Sequence, residues 1–255
     1  MSLWYSSRSI LVICLIGRVA AGQIHPHLGV EAGVPLSDTL SSTSFASTSG
    51  IISSFDRYNS ETKRLLIGPA FRLDLQSGLG IEFDALYQRI NYDHATISGA
   101  PGPSLFSQIS QSDQTTANRW QFPLLVQYTR TLLNWKARPF VEAGPSISRI
   151  ADSRSTINTT IRSNPSPSSS TSSVTGQGGT WAGIVAGAGV DLPLFRVHVR
   201  PEFRYSHWFS QGAAPAAAVP GLITIGGGSV FVPAGVVPSF RTKQNEASFL
   251  LGLTF

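Results

Sequence analysis

The sequence predicts an all-β fold, an eight-stranded antiparallel up-and-down transmembrane β-barrel with four long external loops. Three observations predict it. Eight segments alternate apolar and polar side chains with a period of two, as strands with two different environments do. Short and long connections alternate strictly along the chain. The polar face of the segments carries charges of both signs, although charged residues are only 13% of the chain, about half the usual share.

The predicted strands follow one another without any stretch of helical period. Apolar positions recur at every second residue in each of them. The eight segments lie near residues 24–36, 62–75, 79–92, 118–131, 137–150, 180–192, 195–209 and 245–255.

The connections predict which kind of barrel this is. Three are short, around 76–78, 132–136 and 193–194, and the other four are long. The long ones are 37–61, 93–117, 151–179 and 210–244, and all four fall at the same end of the strands. Transmembrane barrels have this arrangement, with short turns on one side of the membrane and long loops on the other.

The apolar face carries bulky side chains, as a lipid-facing surface does. Leu65, Ile67 and Phe71 share one face of the second strand, whereas Arg72 and Asp74 share the other. Aromatic residues gather near the strand ends, where a barrel has its girdles. The predicted outer girdle is Tyr87, Trp120, Phe122 and Tyr205, and the predicted inner girdle is Tyr128, Phe195 and Phe255.

The first 22 residues are interpreted as a secretory signal peptide. Arg8 precedes the apolar run Ile10–Ile16, and small residues follow, so that cleavage after Ala21 or after Gly22 fits. Residues 23–255 would then form the barrel domain. The single cysteine, Cys14, lies within this leader and excludes a disulfide scaffold.

The last strand ends with an apolar alternation and a terminal aromatic residue, Phe255. It resembles the signal that the outer-membrane barrel assembly machinery reads. Together with the leader and the loop pattern, the mature chain resembles the small eight-stranded outer-membrane proteins, of the OmpA transmembrane domain and OmpX type. The resemblance implies a bacterial outer-membrane location, with outer-membrane lipids and lipopolysaccharide as neighbours.

The polar face predicts a lumen closed by ion pairs. A barrel of eight strands has an interior just wide enough to be filled by side chains. Gly187 and Gly189 are interpreted as making room in it. The predicted ionic network, either a structural plug or an ion gate, is Glu82, Asp84, Arg138, Arg200, Glu202 and Arg204.

Basic residues at the external rim predict contacts with lipopolysaccharide phosphates. Arg64, Arg119 and Arg149 fall near the outer ends of their strands. The formal net charge of the whole chain is +5, but its basic residues are scattered, so nucleic acid is not a predicted partner.

No enzymatic, cofactor or metal site is predicted. His207 and Ser210 are similar to the histidine and serine of lipid A deacylases, but those lie two residues apart on one face, and these lie three apart. His25 and His27 share a face, but two ligands are too few for a metal. The sequence contains no HExxH, P-loop or paired CxxC pattern.

The resulting functional prediction is a non-enzymatic outer-membrane barrel with a plugged lumen and a structural or surface-interaction role. The alternatives are a small porin-like channel or carrier of small or hydrophobic solutes, a lipid A-modifying enzyme, and a secreted soluble sandwich. The loop 151–179 is predicted to be flexible because it is rich in Ser and Thr. Residues 222–232 are predicted to form a hairpin, either a strand extension or an adhesive tip.

Overall fold

The computed structural model describes most of the chain from His25 onward. The predicted signal peptide, residues 1–22, lies outside the described residues. The described ranges are 25–49, 52–99, 106–131, 137–151, 153–163, 167–176, 178–211, 213–214, 221–225, 228–232 and 240–255.

The described chain is built from β-strands and one 3₁₀ turn, Gln76–Gly78. No helix among these residues is long and apolar enough to cross a membrane. The strands are β1 (His25–Pro35), β2 (Thr43–Ser49), β3 (Ile52–Asp74), β4 (Leu79–Asp84), β5 (Leu86–Gly99), β6 (Phe106–Thr129), β7 (Arg138–Ile150), β8 (Ser153–Ser163), β9 (Ser168–Gly176), β10 (Thr180–Leu194), β11 (Val197–Trp208), β12 (Ala213–Ala214), β13 (Gly221–Ile225), β14 (Gly228–Val232), β15 (Phe240–Arg241) and β16 (Asn245–Thr254).

Eight strand positions close into an antiparallel barrel, which confirms the predicted fold. β1 pairs with β3 on one side and with β16 on the other, so the first and last strands seal the ring. The remaining order is β16, β11, β10, β7 and β6, and β6 returns to β3 through β4 and β5. β4 and β5 are one strand interrupted at Ala85, whose N–H donates to the Pro69 carbonyl at 3.1 Å.

The alternation of side chains separates two environments. In β4, Ile81 and Phe83 are 38% and 44% exposed, while the alternate residues Glu82 and Asp84 are fully buried. Successive residues of a strand point to opposite faces of a sheet. The apolar residues therefore cover the outside of the barrel and the charged residues fill its lumen.

Three strands rise well above the barrel, farther than the sequence pattern predicted. β3 begins at Ile52, β5 continues to Gly99 and β6 begins at Phe106. With β2, β8 and β9 these extensions form a six-stranded sheet in the order β2-β3-β5-β6-β8-β9, called here the upper sheet. Much of the predicted loops 37–61 and 93–117 is therefore strand.

The segment 151–179, predicted to be a loop, is largely strand, so its assignment as a loop was wrong. Residues Ser153–Ser163 and Ser168–Gly176 form the hairpin β8–β9, and β8 also pairs with β6. Ile157 and Ile161 lie on one face of β8 and are 5% and 3% exposed. Two buried isoleucines and β-branched threonines are enough to hold this strand, although serine and threonine dominate its composition.

The predicted hairpin at 222–232 is present as β13–β14. Leu222 pairs with Phe231 and Ile223 with Val230, in a two-stranded sheet separate from the upper sheet. This arrangement is a hairpin of its own and not an extension of a barrel strand.

Candidate functional site in the barrel lumen

The charged residues of the lumen meet in one buried assembly, called here the central cluster. Strands β1, β4, β7 and β11 place these side chains at inward positions of the alternation. Its members are Glu31, Glu82, Asp84, Glu142, Arg200, Glu202 and Arg204, each at most 4% exposed.

Arg204 is the centre of this cluster. Its Nη1 donates to Asp84 Oδ2 at 2.6 Å and its Nη2 to Glu82 Oε1 at 2.6 Å. Its Nε donates to Glu142 Oε1 at 2.8 Å, and its Nη2 also reaches Glu31 Oε1 at 3.2 Å. The planar guanidinium carries five N–H donors in a fixed geometry, which suits this many carboxylate partners.

Arg200 is the second cation of the central cluster. Its Nη1 donates to Glu82 Oε2, and its guanidinium carbon lies 4.4 Å from the centre of the Phe140 ring. Gly187 leaves the space that the cluster needs, because a Cβ there would lie 2.8 Å from Glu142 Oε1. The lumen at this level is filled by side chains in contact.

The structure brings together five of the six residues in the predicted network, Glu82, Asp84, Arg200, Glu202 and Arg204. Arg138 is not among the partners of Arg204 and instead pairs with the buried Asp191. The sequence-based network also omitted Glu31 and Glu142, although both stand at inward positions of alternating strands. Strand alternation identifies inward residues, but it does not show which of them meet.

Arg138 belongs to a second group at the end of the barrel that carries the short turns, called here the turn end. Its Nη2 lies 2.9 Å from Asp191 Oδ2, and its side chain is 31% exposed. Arg72 contacts Asp74 through Nε at 2.8 Å, and His198 Nδ1 lies 2.8 Å from Asp191 Oδ1. These residues form the turn-end ring, which covers the central cluster from below.

A leucine layer lies on the other side of the central cluster. Leu66, Leu86 and Leu250 pack against one another and are almost fully buried. Leu86 stands two positions beyond Asp84 on the same face, so apolar packing begins where the charges end. This layer removes water from one side of the ion pairs.

Arg119 and Glu246 form a further buried ion pair nearer the long loops, called here the upper pair. Arg119 Nη2 donates to Glu246 Oε2 at 2.8 Å, and its Nε donates to Ser148 Oγ at 2.8 Å. Its guanidinium carbon lies 5.7 Å from the Trp181 ring centre and 5.3 Å from that of Trp208. Both tryptophans are buried, so the pair is enclosed by aromatic rings.

Comparison with known proteins agrees with this geometry. A family model described as outer membrane protein beta-barrel domain matches residues 22–211. The chain belongs to this family. It is therefore an outer-membrane β-barrel protein, and the exposed apolar belt is the surface that faces lipid.

No curated protein sequence matches the chain. The crystal structure of Neisserial surface protein A (NspA) is similar with a TM-score of 0.35 and 10% sequence identity, and the alignment covers 91% of this chain and 97% of that one.

Not all of the arginines predicted to contact lipopolysaccharide lie on the outer surface of the barrel. The prediction for Arg119 was wrong, because this residue points into the lumen and is 1% exposed. Arg149 is exposed on the outer face of β7, beside Trp120 of the neighbouring strand. The side chain of Arg64 lies outside the described residues. Arg89, which the sequence analysis did not select, is exposed on β5, directly opposite Asn118.

Aromatic residues mark the outer boundary of the belt near these arginines. The rings of Tyr87 and Trp120 lie 5.2 Å apart, and those of Trp120 and Phe122 lie 6.2 Å apart. Tyr87 also donates its hydroxyl proton to Asn118 Oδ1 at 2.8 Å. This girdle is the level at which lipid headgroups meet a barrel.

His207, which the sequence analysis compared with the histidine of lipid A deacylases, contacts Asn245. His207 Nδ1 lies 2.7 Å from Asn245 Oδ1, and the Tyr205 hydroxyl donates to the same oxygen at 2.8 Å. Ser210 lies beyond the end of β11.

The terminal residue Phe255, predicted to be part of the assembly signal, is 66% exposed, and its N–H donates to the Leu28 carbonyl at 2.8 Å.

A polar cluster in the upper sheet was not predicted. His94 Nδ1 lies 3.0 Å from Asp113 Oδ2, and His94 Nε2 lies 3.2 Å from Asp56 Oδ1. The Tyr58 ring stacks on His94 with 4.3 Å between ring centres. Burial and the neighbouring Asp56 and Asp113 carboxylates raise the pKa of Tyr58 above its usual range. The cluster joins β3, β5 and β6 above the membrane.

Proposed function

We propose that this protein is a non-enzymatic outer-membrane barrel whose lumen is plugged by side chains and whose role is structural or surface-interacting. The observation that supports the proposal is the central cluster around Arg204, where seven charged side chains, each at most 4% exposed, meet across the lumen. Export would use the signal peptide at residues 1–22, and Phe255 would be read by the barrel assembly machinery.

The surface role rests on the upper sheet. It extends the barrel outward with paired strands, so it presents a fixed surface and not a set of mobile loops. The hairpin β13–β14 has an apolar sequence and is a second candidate segment for contact with a partner. Nucleic acid is not among the proposed partners.

The absence of enzymatic activity is also part of the proposal. His207 shares its hydrogen-bonding oxygen with Tyr205, and an amide such as Asn245 does not act as a general base. These contacts support the interpretation of His207 as a residue of the aromatic girdle and not as part of a lipid A-modifying site.

The plug is tested by single-channel conductance in a planar bilayer. We expect the folded wild-type protein to be silent, and the double variant Arg200→Ala/Arg204→Ala to conduct in steps, because it loses both cations that hold the carboxylates together. Arg154→Ala, an exposed arginine of β8, is the matched control and should be silent. Heat-dependent gel mobility must first show that each sample is folded.

Steady current steps from the wild-type protein would reject the plug and favour the alternative, a small porin-like channel. A lateral opening for hydrophobic solutes has less support, because each barrel strand is paired with both of its neighbours.

The arginines of the outer girdle are proposed to contact lipopolysaccharide phosphates. Arg89 and Arg149 flank the Trp120 strand at the level of the aromatic girdle, where anionic headgroups lie. We expect Arg89→Gln/Arg149→Gln to retain less lipopolysaccharide after detergent extraction than wild type. Arg154→Gln, higher on the upper sheet, should retain the wild-type amount. Equal retention by all three proteins would contradict this contact.

A further inference from the structure

We propose that a groove on the outward face of the upper sheet binds the polysaccharide of lipopolysaccharide molecules in the same membrane, with the ring of Phe55 as its stacking surface. The inference rests on the surface-interacting role proposed above and names its partner, but it does not depend on the plug. Three observations carry it: the position of this face relative to the lipid, an exposed apolar pair on a polar sheet, and a groove beside that pair.

The outward face of the upper sheet continues the lipid-facing surface of the barrel. On β5, Ile97 follows the girdle residue Tyr87 by ten positions, an even number, so both side chains lie on the same face of the strand. Their partners on β6 are Ser110 and Trp120, and the register between these two pairs is unbroken. A molecule that surrounds the barrel in the membrane therefore also stands beside this face.

This part of the face lies well above the level of the lipid phosphates. Ten residues of a strand, at about 3.3 Å each and tilted by about 40°, raise the chain by about 25 Å above the girdle. The girdle marks the level of the lipid headgroups. In lipopolysaccharide the acyl chains and phosphates of lipid A lie at or below this level, and the polysaccharide extends outward from it. At the height of Ile97 a neighbouring lipopolysaccharide molecule therefore presents sugars.

An exposed apolar pair lies at this height. Phe55 of β3 and Ile97 of β5 are direct partners in the sheet and are 47% and 45% exposed. Among the outward residues that the structure describes in the upper sheet, no other side chain is large and apolar. The exposed residues around the pair on this face include Arg57, Ser112 and Asn158. The pair is thus an apolar spot framed by groups that form hydrogen bonds.

A groove of about 540 Å³ runs beside the apolar pair. Gly99 is the partner of Ser53 on one side and of Gln108 on the other, and it has no side chain to fill the space between them. Small-molecule sites in proteins typically have about 300–1,000 Å³, so the groove has room for a short stretch of a sugar chain. Its lining includes Ser53, Phe55, Ile97, Gly99, Gln108 and Arg162.

These side chains match the two kinds of surface that a sugar ring presents. The C–H groups on one side of the ring are weakly positive, and the face of an aromatic ring such as Phe55 is negative, so the two stack. The hydroxyls at the rim of the sugar can exchange hydrogen bonds with Ser53 and Gln108, each of which both donates and accepts.

The charge of the groove favours an anionic sugar chain. Its described lining contains one cation, Arg162, and no acid. The guanidinium carries five N–H donors, so Arg162 can contact a ligand and a protein group at the same time. Acidic sugars and phosphate substituents are common in the polysaccharide of lipopolysaccharide, and an arginine pairs with them through charge-assisted hydrogen bonds.

The position of the groove disfavours a peptide as its occupant. Extended peptides bind by adding a strand to an open sheet edge, where backbone groups are unpaired. Strands β3, β5 and β6, which form most of the groove, are each paired on both sides. The groove therefore offers side chains to a ligand and no free strand edge.

The test is titration with a polysaccharide that carries no lipid. The protein is refolded from urea into detergent without lipopolysaccharide, and the probe is the polysaccharide that mild acid releases from the lipopolysaccharide of the host bacterium. We expect saturable binding in calorimetry. Phe55→Leu keeps an apolar side chain but loses the ring, so it should bind at least fivefold more weakly, whereas Phe55→Tyr should bind like wild type.

Two control variants separate this contact from others. Phe209→Ala removes an exposed phenylalanine from the opposite side of the barrel and should bind the probe like wild type. Arg89→Gln/Arg149→Gln should also bind it like wild type, because the probe contains no lipid A phosphates. Conductance of the wild-type protein would reject the plug and leave these results unchanged, so the two proposals fail separately.

Three results would overturn the inference. One is the absence of saturable binding by folded wild-type protein at millimolar polysaccharide. Another is equal affinity of Phe55→Leu and wild type, which would show that no sugar stacks on this ring. The third is equal binding of dextran, a neutral glucose polymer, since it would show that the groove does not select the polysaccharide of lipopolysaccharide. Heat-dependent gel mobility must show beforehand that each variant is folded, which these exposed positions permit.

Discussion

Arg204 shows how one residue can organise the inside of a barrel. From β11, its guanidinium contacts carboxylates of β1, β4 and β7, so a single side chain joins strands that are far apart in sequence. Lysine could not replace it, because an ammonium group has three donors on one atom and no planar fork. The contacts of the central cluster depend on this geometry.

Replacing this guanidinium should strongly destabilise the barrel. In Arg204→Met the chain keeps its length but loses the positive charge, and the buried carboxylates remain. Removing one partner of a buried ion pair typically costs about 3–5 kcal/mol. We expect a loss of at least this size in the free energy of unfolding, measured by urea titration in lipid vesicles.

Arg154→Met is the control for that measurement, since Arg154 is exposed on β8 and should change stability by less than about 0.5 kcal/mol. An unfolding midpoint for Arg204→Met equal to that of wild type would mean that the central cluster contributes no net stability.

The upper sheet is the part of this protein in which strands continue to pair beyond the barrel. Its strands continue past the membrane, and β8–β9 adds two strands to the free edge of β6. The His94 cluster joins the middle of the same sheet. Long loops at this end are therefore organised by strand pairing.

Strand pairing in β8 should protect it from proteases. Arg154 and Arg162 are exposed trypsin sites, but a protease must bind an unpaired extended segment. We expect trypsin to cleave Thr159→Pro rapidly in intact cells and wild type slowly. Thr159 faces Gln111 on one side and Ser170 on the other, so proline interrupts a central position of the sheet.

The control at the same position is Thr159→Ala, which keeps the backbone N–H and should be cleaved as slowly as wild type. Equally fast cleavage of all three proteins would support the flexible loop that the composition predicted.

The predictable and unpredictable elements differ in their surroundings. Barrel strands lie between lipid and lumen, which forces a strict alternation such as that of Ile81, Glu82 and Phe83, and this pattern is visible in the sequence. Both faces of β9 meet water, so Ser and Thr occupy either face and no alternation marks it. The edge strand β9 was missed for this reason.

For the candidate site, the sequence predicted which residues lie on the polar face of each strand but not which of them pair. Alternation identifies Arg119 and Arg204 equally as polar-face residues. It does not specify the tilt of each strand or the distance between side chains, which decide that Arg119 meets Glu246 and not a lipid phosphate. Pairing inside a barrel is a property of its closed geometry, which single strands do not encode.

At the scale of the whole molecule, the barrel places an apolar belt outside and its charges inside. Large apolar side chains such as Val126 and Val141 are 60% and 56% exposed. A water-soluble protein of this size would not expose so continuous an apolar surface. The surface is stable only because lipid covers it.

The belt predicts that the cost of a charge depends on its depth. Leu124 lies outward on β6 between the aromatic residues Trp120 and Tyr128, and all three are exposed. We expect Leu124→Arg to cost about 2–4 kcal/mol of stability in vesicles, because it places a charge near the middle of the bilayer. Tyr128→Arg, at the turn-end girdle, should cost about 0–1 kcal/mol. Equal costs at the two sites would contradict this placement in the membrane.

The pairing of β1 with β16 also determines the order in which the chain can fold. Gly29 finds its partner only when Thr254 arrives, so the ring cannot close before the last strand has been made. Until then two strand edges carry unpaired N–H and C=O groups, which invite pairing with other chains. Contacts this distant in sequence also form slowly. An exported chain of this design therefore needs protection from aggregation during the interval between synthesis and closure.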